Sequence, residues 1–171
     1  MSRYIRSQCP GGTFFFTVVT LNRKKILLNT DLRSTLRLAI NSVREKYDFK
    51  IDAWVMLPDH LHCIWTLPEG DSDYVKRWAL IKRKVTQELS DARSNKGEGI
   101  IWQRRYWEHK ISCDNDYQKH MDYIHYNPVK HGVVKQVKDW RFSSFHRLVR
   151  DKVYPLDWGG SYQEQFCNYG E

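Results

Sequence analysis

The run Thr13 to Leu21 (Thr-Phe-Phe-Phe-Thr-Val-Val-Thr-Leu) holds only β-branched, aromatic and aliphatic side chains, and Gly11-Gly12 precedes it. This composition favours a pleated strand, in which successive side chains point to opposite faces. Both faces are apolar here, so the run predicts a strand buried on both sides. Whatever fold the chain adopts has to cover both. The run is far too short to cross a bilayer.

The remaining elements follow from periodicity and punctuation. Apolar residues recur at Leu32, Leu36, Ala39, Ile40 and Val43, which predicts an amphipathic helix over Asp31–Tyr47 with Asp31 as its cap. Phe49, Ile51, Ala53 and Val55 alternate along a second strand, Phe49–Met56. Leu57-Pro58-Asp59 turns the chain into a third, antiparallel strand over His60–Leu67. A helix follows from about Ser72 to Leu89, then a polar loop, Ser94–Gly99, suited to movement. Arg105–Ile111 reads as a fourth strand. Asn115–Tyr126 reads as a helix capped by Asp114 or Asn115 and stopped by Pro128. Beyond Gly132 the pattern weakens to a short helix over Ser143–Arg150 and a tail containing Pro and Gly. The order β-α-β-β-α-β-α predicts an α+β fold, a ferredoxin-like antiparallel sheet with helices packed on one face. Residues 1–171 are read as one domain, with 140–171 a C-terminal extension.

Charge narrows the partner class. The chain carries 28 Lys and Arg against 20 Asp and Glu, a formal net charge of +8. That balance favours a polyanion, through phosphate neutralisation. Aromatics reach 14%, and rings interleaved with basic residues suit single-stranded nucleic acid, whose bases can stack on them. The N-terminus lacks the apolar stretch of a signal peptide, so a cytoplasmic, nucleoid-associated location is expected. Cys9, Cys63, Cys113 and Cys167 form no C-x-x-C pair, which argues against a zinc ribbon or a disulfide framework.

Two clusters carry chemistry. His60 and His62 lie two apart on the third strand, so both imidazoles leave the same face while Leu61 points into the core. Two imidazoles so placed can ligate one divalent ion. On the last long helix, about 100° per residue brings Asp116, His120, Tyr123 and Asn127 to one side, beside an apolar stripe of Tyr117, Met121 and Ile124. A phenol and an amide one turn apart could share a site. Taken alone, the same residues also suit a half-buried aromatic and a helix terminator before Pro128.

Read together, the segments Leu57-Pro-Asp-His-Leu-His-Cys-Ile-Trp-Thr-Leu-Pro68 and Met121-Asp-Tyr-Ile-His-Tyr-Asn-Pro-Val-Lys-His-Gly132 resemble the two signature blocks of the HUH single-tyrosine transposases. The resemblance is to the branch of REP-associated tyrosine transposases. Gly11–Thr17, Ile101-Trp-Gln103, Tyr106-Trp-Glu-His109 and Trp140–His146 fit the same branch.

This resemblance implies His60 and His62 as metal ligands, Tyr123 as nucleophile and Asn127 as third ligand, where the wider family commonly carries Gln. It implies Mg²⁺ or Mn²⁺ as cofactor. The implied reaction is nicking and rejoining of single-stranded DNA through a 5′-phosphotyrosine, at a REP-type hairpin with a short guide sequence beside it. A non-catalytic hairpin-binding protein is the alternative. A monomer is expected. Candidate phosphate contacts are Arg3, Arg6, Lys82, Arg83, Arg104, Arg105, Arg141 and Arg147, with Lys76, Arg77 and Lys84 completing a basic helix surface. His120 and Asp116 lie on the helical side of Tyr123, where one of them could accept its proton.

Overall fold

The computed structural model describes residues 9–91 and 101–159. Four strands, β1 (Thr13–Val19), β2 (Lys50–Met56), β3 (His60–Thr66) and β4 (Trp107–Lys110), form one antiparallel sheet in the order β2-β3-β1-β4. Helices α1 (Thr30–Lys46) and α2 (Tyr74–Asp91) make the two crossovers. This is the ferredoxin-like arrangement expected. The loop Ser94–Gly99 lies outside the described residues.

The sheet has a core on each side. Phe14, Phe16 and Val18 of β1 pack with Leu61, Cys63 and Trp65 of β3 against α1 and α2. Trp65 stacks on Trp78 of α2 at 4.3 Å between ring centroids, tying β3 to that layer. The opposite face, carrying Phe15, Val55 and Ile64, is covered by α3 (Asp114–Lys130) and the chain after it. Thus α1 and α2 share one face, and the tyrosine helix takes the other. The three phenylalanines of β1 are fully buried, each worth about 2 kcal/mol of transfer free energy.

Several boundaries differ from expectation for local reasons. Helix α1 is capped by Asn29, whose side chain accepts from the N–H groups of Asp31 and Leu32. A bulge between Ile51 and Ala53 shifts the register of β2. Phe49 and Ile51 therefore face α1 and α2, whereas Ala53 and Val55 face α3, although simple alternation puts all four together.

Helix α3 does not stop at Pro128. Its N-cap position is Cys113, without a side-chain cap, and it runs on to Lys130. It ends at Gly132, whose φ of +65° allows the N–H of Gly132 to reach the Val129 carbonyl, and that of Val133 the Pro128 carbonyl. Pro128 is accommodated one turn from the end, where its missing N–H removes only the bond to the Ile124 carbonyl.

Residues His120 to Pro128 of α3 are all buried. The sheet covers one side; Trp140, Tyr154 and helix α4 (Phe145–Arg150) cover the other. His125 joins the layers, its Nδ1 donating to the Met121 carbonyl at 2.7 Å and its Nε2 lying 2.9 Å from Ser144 Oγ. Ser144 in turn accepts from the Trp54 N–H on β2. Among the described residues no helix is long and apolar enough to cross a membrane. Cys9, Cys63 and Cys113 are free thiols, and burial pushes the Cys63 thiol well up.

Candidate active site

Strand β3 aims His60 and His62 at α3. Their cross-strand partners on β1 are Val19 and Thr17, and Leu61 turns into the opposite core, as the alternation required. Both histidines are buried. Each ring engages a neighbour through Nδ1: His60 with Asp59 Oδ1 at 2.7 Å, and His62 with Thr17 Oγ1 at 2.9 Å. Burial raises the Asp59 carboxyl, but its hydrogen bonds and charge interactions with His60 and Arg23 outweigh this and hold it below its ordinary value. An ionised carboxylate only accepts, so His60 Nδ1 donates, and in the neutral ring the lone pair is on Nε2. A histidine oriented in this way is the usual form of a metal ligand.

Helix α3 meets the pair at two points. The Tyr123 ring lies 5.2 Å from the His62 ring, and the His131 ring lies 5.1 Å from that of His60. Asn127, also buried, is one turn after Tyr123 and one turn before His131, which places it on the side of α3 that carries those two residues. Two imidazoles and an amide oxygen form a mixed N/O donor set that suits a divalent ion. His60, His62 and Asn127 thus fit the metal-holding roles.

The Tyr123 phenol is fully buried, and its oxygen accepts from Lys130 Nζ at 3.3 Å. The same ammonium stands 4.9 Å from the centre of the Tyr123 ring. Phe15 of β1 packs at 6.0 Å from Tyr123 and 5.5 Å from His62, forming the floor between them. His120 and Asp116 are turned toward β4: His109 Nε2 lies 2.9 Å from Asp116 Oδ2, and the His109 and His120 rings stack at 4.6 Å.

The candidate phosphate contacts divide. Arg3 and Arg6 lie outside the described residues. Arg77 is buried: it grips Asp71 through both terminal nitrogens and donates to the carbonyls of Tyr47, Asp48 and Asp73. It belongs to the core, not to a basic surface, because those four groups replace water around its charge. Lys82 donates to the Gln103 carbonyl and is half-buried, whereas Arg83 and Lys84 are exposed. Arg147 reaches back to the Asp52 carbonyl. Arg141 is exposed, with its guanidinium 4.7 Å over Phe142. Arg104 and Arg105 are exposed on the segment before β4. There the Gln103 N–H bonds the Val19 carbonyl, at the end of β1 that pairs with His60.

Sequence reasoning missed Asp59, Thr17, Lys130 and His131. Asp59 had a local signal, standing directly before His60, and Lys130 follows Tyr123 by two helical turns. Thr17 touches His62 only through strand pairing.

Residues 13–127 match the family described as IS200-like transposases. The chain is 52% identical over 160 residues to a REP-associated tyrosine transposase of Escherichia coli strain K12, covering 94% of this chain and 92% of that protein. It is 46% identical over 168 residues to a putative REP-associated tyrosine transposase of Haemophilus influenzae, covering 94% and 95%. A solved structure of a REP-associated tyrosine transposase bound to a REP hairpin superposes with a TM-score of 0.87 at 50% identity, covering 100% of this chain and 98% of that one. A sheet that presents two histidines to a helix-borne tyrosine, matched over nearly the whole chain, places this protein in the IS200-like transposase family, among the REP-associated tyrosine transposases.

Proposed function

We propose that this chain is a metal-dependent single-stranded DNA endonuclease and strand transferase that acts beside REP-type hairpins through a covalent tyrosine. The observation carrying this reading is the meeting of Tyr123 with the His60–His62 pair, at 5.2 Å between the Tyr123 and His62 rings. Nucleophile and metal ligands come from separate elements, yet they converge on one point.

Tyr123 is the nucleophile. Its oxygen forms a bond to phosphorus as the bond from phosphorus to the 3′ oxygen breaks, leaving a 5′-phosphotyrosine and a 3′-OH. The Lys130 ammonium donates to the phenol oxygen, a contact that favours the ionised phenol. In the reverse step a 3′-OH attacks phosphorus and Tyr123 departs, so strands are joined without an external energy source. His60, His62 and Asn127 would hold Mg²⁺ or Mn²⁺. The ion, when bound, supplies electrostatic stabilisation of charge on the phosphate and leaving oxygens. The phenol is enclosed, so DNA binding has to open a path to it.

The partner is single-stranded DNA carrying a REP hairpin and an adjoining guide sequence. Arg104 and Arg105, exposed just after the residue that bonds the His60 end of β1, are candidate phosphate contacts. Arg83 and Arg141 offer further exposed charge. The protein acts as a monomer associated with the nucleoid.

The test is to incubate the protein with labelled REP-hairpin DNA, with and without Mg²⁺ or Mn²⁺. A covalent adduct lost in Tyr123→Phe supports the reading, whereas cleavage that persists in that variant overturns the assignment of the nucleophile. Binding without cleavage under either metal favours a hairpin-binding protein that does not cut.

A further inference from the structure

We propose that His109, Asp116 and His120 form a second divalent-metal site, for an ion of the zinc or manganese class, that clamps β4 to the first half of α3. This site is separate from the His60–His62 pair and does not depend on Tyr123 being a nucleophile.

The ligand atoms of these three residues all lie within 4.8 Å of one another. His109 Nε2 stands 2.9 Å from Asp116 Oδ2, and His120 Nδ1 stands 3.1 Å from Asp116 Oδ1. An ion with bonds of about 2.1 Å sets neighbouring ligand atoms roughly 3.0–3.5 Å apart, so the carboxylate already sits near the spacing required. Two imidazoles and one carboxylate favour zinc or manganese over magnesium, which prefers oxygen and water. The His109 side chain is 37% exposed, which gives an ion a way in and leaves room for water to complete its shell.

The surroundings hold the carboxylate in place. Asp116 Oδ2 accepts from the Ser112 N–H at 2.8 Å and from Ser112 Oγ at 3.1 Å. Burial raises the Asp116 carboxyl, but the bonds from His109 and Ser112 more than offset this and keep it ionised. Burial lowers His120 against the pull of Asp116, favouring the neutral imidazole that a metal requires. His120 Nδ1 also faces the Asp116 backbone carbonyl at 2.8 Å, and the ion takes the place of that hydrogen bond.

The site adjoins the tyrosine. His120 is one turn before Tyr123, and its ring packs 4.8 Å from Phe15, the residue that also floors Tyr123 and His62. An ion here fixes the edge strand to the helix that presents the nucleophile.

The test uses tag-free, metal-stripped protein titrated with Co²⁺ and Zn²⁺, following the visible absorption of Co²⁺ and the metal stoichiometry. His109→Ala, which changes a partly exposed ring, is expected to bind one equivalent fewer than the unaltered protein while melting normally without metal. His60→Ala/His62→Ala is expected to keep one equivalent, and adding His109→Ala to remove it. Equal stoichiometry in His109→Ala and the unaltered protein overturns the proposal, as does a folded His60→Ala/His62→Ala protein that binds no metal. If the unaltered protein itself binds only one equivalent and loses it in His109→Ala, the second site stands and the His60–His62 site fails.

Discussion

Lys130 donates to the phenol oxygen of Tyr123 at 3.3 Å, from two turns further along the same helix. Removing the ammonium takes away a charge that favours the ionised phenol. In Lys130→Ala the cleavage rate on REP-hairpin DNA is expected to fall roughly 10²-fold. Its rate–pH profile should move toward alkaline pH, and Lys130→Arg should recover part of the loss. Single-turnover cleavage measured from pH 6 to 10 checks this; an unshifted profile assigns Lys130 a packing role only.

Asp59 orients His60 by accepting from its Nδ1. In Asp59→Ala the Mn²⁺ concentration giving half-maximal cleavage is expected to rise about 10- to 100-fold. Hairpin affinity, measured without metal, should hold. A fall in affinity with no change in metal dependence would instead place Asp59 in DNA binding.

His125 is fully buried, and burial lowers its pKa from 6.5 to about 4, with the Met121 carbonyl opposing and Arg147 assisting the shift. Between those values the unfolded chain binds the proton and the fold does not. Stability is therefore complete above pH 6.5 and declines as pH falls toward 4, by roughly 3 kcal/mol from this residue. Thermal melts across this range should show His125→Gln with a shallower acid slope than the unaltered protein.

Gly132 closes α3 at a φ of +65°, and a methyl group there meets nothing within 4 Å. Only backbone strain opposes Gly132→Ala, so denaturant unfolding should register a loss of about 1–2 kcal/mol. Metal binding at His60 and His62 should be untouched.

The order of elements was legible because each strand carried its own signal, from the apolar run of β1 to the turn at Pro58. The two-histidine face followed from the alternation of β3 alone. What escaped depended on tertiary partners. The bulge at Asp52 moves half of β2 to the other core, and nothing in the residues 49–56 marks it. Arg77 reads as one charge in a basic helix until Asp71 and three carbonyls close around it. Pro128 suggests a stop, yet near a helix end its cost is one bond, and packing on both sides of α3 outweighs it.

That proline also divides the site mechanically. The absent bond would have started at the Ile124 carbonyl, one residue after Tyr123, whereas Asn127, Lys130 and His131 all come later in the chain. Tyr123 and the Lys130 that donates to it therefore stand on opposite sides of the missing bond in their own helix. A small bend there changes the separation between the Tyr123 oxygen and the Lys130 nitrogen while the His62 contact, upstream of the joint, stays in register. On the proposed function, leverage of this kind would let the enclosed phenol open toward a DNA strand without dismantling the sheet beneath it.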